Sequence, residues 1–173
     1  MDQHEEQEFA EYFAAKRDSV RRTAYMLCGD WHKADDLAQT AFVALHRRWR
    51  KIRDRSATDA YVRKTLVRAS IDESRRPWRR ERNVDVLPES VAAGTRFDER
   101  IVDREDLLAG LRQVPPKQRA VLVLRYFEGM DVGGVAKALG CSEGNVKSQT
   151  ARGLAKLREV LGGSELAEQR ETR

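Results

Sequence analysis

The run from Val132 to Arg158, VGGVAKALGCSEGNVKSQTARGLAKLR, decides the fold class. Val132, Val135, Ala136 and Leu139 recur at spacings of three and four, the repeat of one helix face. Gly140-Cys141 interrupts the pattern, and Gly suits the left-handed residue that ends a helix. Ser142 predicts an N-cap for a longer helix, whose stripe is Val146, Thr150, Gly153, Leu154, Leu157 and Leu161. A short helix, a tight turn and a capped longer helix make a helix-turn-helix pattern. The first helix must pack across the second through Val135, Ala136, Leu139 and Val146. The start of the second helix then offers Glu143, Asn145, Lys147, Ser148, Thr150 and Arg152 to a major groove about 12 Å wide. Arg and Lys pair with guanine edges and Asn with adenine, so the segment predicts duplex DNA binding. An ordinary αα-hairpin with a charged face is the alternative it leaves open. Gly133-Gly134 costs the first helix roughly 1 kcal/mol per residue against Ala, which predicts a weak or closely packed helix.

Working outward, Lys117 to Phe127 reads as a strongly apolar helix stopped by Glu128-Gly129. Before it, Leu107, Leu108 and Leu111 make a short apolar face broken by Pro115-Pro116. Residues 83–100 hold Pro88, Gly94 and an excess of acid, and read as a flexible acidic linker. Upstream, Phe9, Phe13, Val20, Ala24 and Leu27 stripe a helix from Glu8 to Leu27, ended at Cys28-Gly29-Asp30. Leu37, Ala38, Ala41, Phe42, Leu45 and Trp49 stripe a second, from Lys33 to Trp49, with Asp35 and Asp36 in its first turn. A basic loop from Lys51 to Ser56 leads to Thr58-Asp59, a candidate cap for a third helix that Pro77 ends. Its stripe is Tyr61, Val62, Thr65, Leu66, Ala69 and Ile71. No β alternation of useful length occurs. The expectation is an all-α chain of two small helical domains, 8–82 and 101–162, joined by the linker and followed by a tail, 163–173, of frayed helix or disorder.

The chain has 173 residues, room for one domain or two small ones. Its charge is laid out in blocks: −5 over residues 1–11, +10 over 12–82, −4 over 83–106, +5 over 107–162 and −1 over 163–173. Two basic blocks around an acidic one fit a polyanion touching two modules, while solvated helix faces are the blander reading. No apolar run approaches a membrane span, and the acidic start is the reverse of a secretory signal, so no membrane insertion is expected and the cytoplasm is the expected address. Cys28 and Cys141 read as reduced core thiols. His4, His32 and His46 lack metal-ligand spacing, and no phosphate loop or nucleophile elbow occurs. No metal, cofactor or catalytic residue is expected, and an enzyme is not the default reading.

A family resemblance rests on three stretches. Val114-Pro115-Pro116-Lys117-Gln118-Arg119-Ala120-Val121-Leu122, followed by Leu124-Arg125-Tyr126-Phe127-Glu128-Gly129, resembles the segment before the helix-turn-helix in bacterial RNA polymerase sigma factors. Val135-Ala136, Leu139-Gly140, Gly144 to Ser148, Arg152 to Leu154 and Leu157-Arg158 resemble their recognition unit. Asp35-Asp36-Leu37-Ala38-Gln39 with Phe42 resembles their polymerase-binding helix. The two-domain size is similar to the extracytoplasmic-function (ECF) group of the sigma-70 family. The stretch from Lys147 to Leu154 resembles a SigE-like actinobacterial branch. The likeness covers about residues 9–161, in the family's order.

The resemblance implies promoter-specific transcription initiation at the nucleoid, with core RNA polymerase (β′ clamp and β flap) and promoter DNA as partners. It also admits an anti-sigma factor. It places Asp35, Asp36, Leu37, Gln39 and Phe42 on the polymerase; Leu37 and Phe42 read equally as core. It places Arg53, Arg55, Ser56, Tyr61, Arg63, Lys64, Arg68, Arg75 and Arg76 on the melted −10 element, with Tyr61 as a packing or stacking aromatic. It places Ser142, Asn145, Lys147, Ser148, Ala151 and Arg152 on the −35 duplex. The sequence departs from the family pattern at Arg68, where many members carry Asn, at Gly134, where many carry an acid, and at Asn145, which replaces the commoner Thr. A helix-turn-helix regulator acting without the polymerase is the competing class. It has no use for the Asp35–Phe42 pattern beside a basic helix. A pure protein-interaction bundle leaves both basic blocks unexplained.

Overall fold

Local sequence signals set the helix ends. The computed structural model describes residues 1–75 and 100–171, with side chains over 1–75 and 104–162. Helix α1 runs Gln3–Cys28, earlier than its apolar stripe predicts. Asp2 and Glu5 form a capping box, each side chain accepting from the other's backbone N–H at 2.8 and 3.0 Å, and draw the acidic start into the helix. Gly29, at φ 72°, closes α1 by donating to Tyr25 O. Asp30 immediately caps α2, Trp31–Arg48, accepting from His32 N and Lys33 N. A short 3-10 turn, Arg55–Ala57, is capped by Asp54 and leads into α3, Thr58–Ser74.

Thr58-Asp59 does not cap α3. Thr58 is buried inside its first turn, and the Asp59 carboxylate accepts from Tyr12 Oη at 2.7 Å and Lys16 Nζ at 3.2 Å. Leu37, Ala41, Leu45, Trp49, Val62, Leu66 and Val67 fill the core of this module. Phe13 departs from its expected core place. It is 39% exposed and meets Phe42 edge-on, with ring centroids 4.9 Å apart.

The C-terminal module has four helices: α4, Arg100–Gln113; α5, Pro116–Leu122; α6, Val132–Leu139; and α7, Glu143–Glu171. Pro116 starts α5, where its missing N–H costs nothing. The expected helix to Phe127 is two pieces, because Val123–Phe127 widens into a π turn closed by Glu128 N donating to Val123 O. Asp131 caps α6 on Gly134 N at 2.6 Å, offsetting part of the double-glycine cost. Gly140, at φ 67°, ends α6, and Ser142 caps α7 on Asn145 N at 3.0 Å. Gly153 lets α7 close on α5: a β-carbon there would meet Leu122 Cδ1 at 3.0 Å. The backbone stays helical to Glu171, past the predicted helix end near Leu161.

The two modules share one apolar cluster. Ala24, Leu27, Leu66 and Val67 from the first belong to it with Ala120, Val121, Leu124, Val135 and Ala138 from the second. Among the described residues, Leu111, Val114 and Leu122 form a separate small cluster. Arg119 fastens the seam, its guanidinium donating to Leu27 O at 2.8 Å across it and to Arg112 O and Val114 O on its own side. Arg112 donates to Gly29 O at 2.6 Å. Both arginines sit at the C-terminal end of α1, whose last carbonyls have no helical partner and carry partial negative charge. The linker, Pro77 and the arginines at 76, 79, 80 and 82 lie outside the described residues.

Candidate nucleic-acid interface

The recognition half of α7 presents a free row. Lys147, Ser148, Ala151 and Arg152 are exposed and Asn145 is half-buried, while Val146 between them is fully buried in the main apolar cluster. Residues three and four apart share a helix face, so Ser148 and Arg152 line one strip and Lys147 flanks it. Ser142 is exposed, and its hydroxyl oxygen caps the helix by accepting from Asn145 N, which leaves its O–H to donate outward. Thr150 turns back to Val146 O at 2.7 Å.

The basic loop and α3 are more engaged than the sequence predicts. Arg53 is exposed. Arg55, by contrast, donates to Trp49 O at 3.0 Å, Ile52 O at 2.8 Å and Glu8 Oε2 at 3.0 Å, and stacks 3.8 Å over the Trp49 ring. That fourfold engagement holds the loop to α1. Ser56 is exposed and donates to Asp54 Oδ1. Tyr61 packs half-buried on the core. Lys64 is half-buried, and Arg68 and Arg75 are exposed. Arg63 pairs with Glu128 at 2.8 Å across the module seam. Arg76 lies outside the described residues.

On α2, Asp36 and Gln39 are exposed and Asp35 is ion-paired with Arg21. Leu37, 3% exposed, packs in the core. Phe42 is buried too, yet it floors a groove between α1 and α2 lined by Phe13, Arg17, Gln39, Val43 and His46. The sequence reading took Phe13 for core and passed over Val43; both are exposed at this groove.

Cys28 and Cys141 are half-buried free thiols, and burial pushes the Cys28 thiol up to about 11. Among the described residues no cluster of His, Cys, Asp and Glu could hold a metal ion, and no helix is long and apolar enough to cross a membrane. Glu128, Arg112 and Arg119 escaped the sequence reading as linking residues, because their partners lie in the other module.

Fold and faces together define a two-module helical protein with a helix-turn-helix reader and a second basic helix. Family models agree: "Sigma-70 region 2" matches residues 13–80 and "Sigma-70, region 4" matches residues 104–157. The RNA polymerase sigma-E factor of Streptomyces coelicolor is 38% identical over 162 residues, covering 92% of this chain and 89% of that one. The ECF RNA polymerase sigma factor SigE of Mycolicibacterium smegmatis is 31% identical over 151 residues, 83% of this chain and 58% of its own length. A solved structure of the sigma factor RpoE from Bartonella quintana, in complex with the anti-sigma factor NepR, has a similar fold, with TM-score 0.71 at 23% identity over 90% of this chain and 98% of that one. The chain belongs to the sigma-70 family of RNA polymerase sigma factors, in its ECF group.

Proposed function

We propose that this chain is an alternative sigma factor that binds core RNA polymerase and directs initiation at promoters chosen by their −35 and −10 elements. The observation that carries the reading is the pairing, in one chain, of an exposed recognition row on α7 with an exposed polar edge on α2 beside an apolar groove. The α7 row fits duplex readout, with Arg152, Ser148 and Asn145 toward base edges and Lys147 toward phosphate. Asp36 and Gln39 with the Phe13–Phe42 groove offer the β′ clamp a polar rim around an apolar seat. The C-terminal module would meet the β flap. Arg53, Lys64, Arg68 and Arg75 suit a single strand through phosphate contacts, and Tyr61 packs behind them. The work is done at the nucleoid.

The test is titration of the full chain onto core polymerase, followed by promoter binding with and without core. Specific promoter binding is expected only with core present. Asp36→Arg should weaken core binding about tenfold, roughly 1.4 kcal/mol, with helix content unchanged. Tight, sequence-specific binding by the free chain, indifferent to Asp36, would instead favour a polymerase-independent regulator.

A further inference from the structure

The acidic start of α1 has no part in the faces described above, yet it holds the basic loop before α3. Arg55 Nη1 donates to Trp49 O at 3.0 Å and to Ile52 O at 2.8 Å, carbonyls at and just past the C-cap of α2. Its Nη2 donates to Glu8 Oε2 at 3.0 Å, and the guanidinium lies 3.8 Å over the Trp49 ring. Trp49 is fully buried and is met edge-on by Phe9 of α1, with ring centroids 5.3 Å apart. Arg50, where the loop begins, donates through Nε to Glu5 Oε2 at 3.1 Å. Glu5 and Glu8 lie three apart on one face of α1, so a single strip of that helix grips both ends of the loop. Within the loop, Asp54 Oδ1 accepts from Ser56 N at 2.9 Å, and Ala57 N donates to Asp54 O at 3.1 Å. Arg53 and Ser56, which flank this arginine, remain exposed.

We infer that Arg55 is a positioning residue for −10 selection: with Glu8 and Trp49 it clamps loop 50–57 into one shape, and that shape, not a contact by Arg55 itself, sets which −10 base Arg53 and Ser56 accept. A loop that reads a base extruded from the duplex discriminates best when its shape is fixed beforehand. A slack loop fits several bases and loses binding free energy in ordering itself around each. The Glu8–Arg55 ion pair alone would hold little, since the two side chains are 39% and 40% exposed. The two carbonyls and the indole add what the pair lacks, and they use the planar guanidinium fork in a way that a lysine cannot copy. The inference rests on the −10 assignment of the loop, and its test separates the two.

The first readout uses the full chain, free in solution. The Ile52, Ser56 and Ala57 amides are hydrogen-bonded within the loop and its root. Their hydrogen exchange should be about tenfold faster in Arg55→Ala and in Glu8→Ala, with the middle of α2 and α3 unchanged. The second readout uses holoenzyme, with open-complex formation measured on promoters substituted singly across the −10 and −35 elements. Arg55→Ala should shrink the preference for the favoured −10 bases about tenfold and Glu8→Ala about threefold, while −35 preference and core affinity stay native. Arg55→Lys should not recover the −10 preference, and the salt slope of promoter binding should not change. Unchanged exchange in both alanine variants overturns the clamp. A uniform loss on every −10 variant for Arg55→Ala, recovered by lysine and joined by a salt slope lower by about 1, makes Arg55 a phosphate contact and overturns the positioning role. So does tighter promoter binding by Glu8→Ala with −10 preference intact, because the carboxylate would then be competing with the strand for Arg55. If Arg55→Ala loses its helical circular dichroism, Glu8→Ala decides by the same readouts. If the native holoenzyme shows no −10 preference, the −10 reading of the loop fails and the selectivity role with it, while exchange still judges the clamp.

Discussion

On α3, Arg63 ends in an ion pair with Glu128 and Arg68 lies over a neighbouring turn. On α7, Lys147, Ser148, Ala151 and Arg152 face solvent. Both faces are basic and both stand on well-capped or well-packed helices. What differs is the surface opposite each. α3 is buried on two sides, by α2 within its module and by α5 and α6 across the seam. α7 spends its apolar side on α4, α5 and α6 and leaves its polar start free. Composition sets the chemistry of a face, and packing sets what stands opposite it.

The seam gives the largest expected effect. The Arg119 guanidinium serves three carbonyls in both modules, and burial holds its pKa below the usual arginine value. Arg119→Ala should destabilise the chain by about 2–4 kcal/mol in urea unfolding, by leaving buried carbonyls unpaired. A change within experimental error would mean that the modules do not share their stability, and the contrast between covered and open faces would weaken with it.

The open face is probed next. Arg152→Ala should cost about 1–3 kcal/mol in holoenzyme binding and relax preference at one −35 position. Lys147→Ala should weaken all promoters alike and lower the salt slope by about 1. A −35 substitution panel, read at several salt concentrations, checks both. Equal loss on every promoter for Arg152→Ala, with a changed base preference for Lys147→Ala, would exchange their roles.

Ser142→Ala asks whether the open face depends on its cap. It removes the bond to Asn145 N and should lower stability by about 1 kcal/mol. Ser142→Asp, which can still cap, should recover most of that loss, whereas a direct base contact by Ser142 would not be restored.

The smallest effect lies in the N-terminal module. Burial opposes ionisation of Asp59, but the Tyr12 hydroxyl and Lys16 outweigh it and hold the carboxyl below its ordinary value. A folded pKa lower than the unfolded value of about 3.9 stabilises the chain above that pH. The contribution fades as pH falls through the folded value. Asp59→Asn should flatten the acid limb of stability against pH, as followed by circular dichroism. An unaltered acid limb would remove Asp59 from the groups that tie α1 to α3.

Much of this was legible in one dimension. The Val132–Leu161 stripe, the Gly140 stop and the Ser142 cap are local signals, and each appears where the spacing puts it. Other features were not legible, for physical reasons that spacing cannot carry. Arg55 looks like any loop arginine until Trp49 and Glu8 converge on it. Phe13 keeps the period of the α1 stripe yet falls on the groove side, because helix periodicity names a face and not its neighbour. Thr58-Asp59 has cap chemistry, but Tyr12 and Lys16, more than forty positions upstream, claim the carboxylate.

By itself the sequence determined the helices, their caps, the order of the two modules and the chemistry of each basic face, because all of these depend on residues within a turn or two of one another. Tertiary structure alone decided that the modules close on a common apolar cluster, that Arg112 and Arg119 seat on the end of α1, and that Glu128 meets Arg63 and Thr23. Those contacts join positions 65 to 105 residues apart. Contacts of that span arise only when burial of apolar surface brings distant segments together, and no local pattern records them.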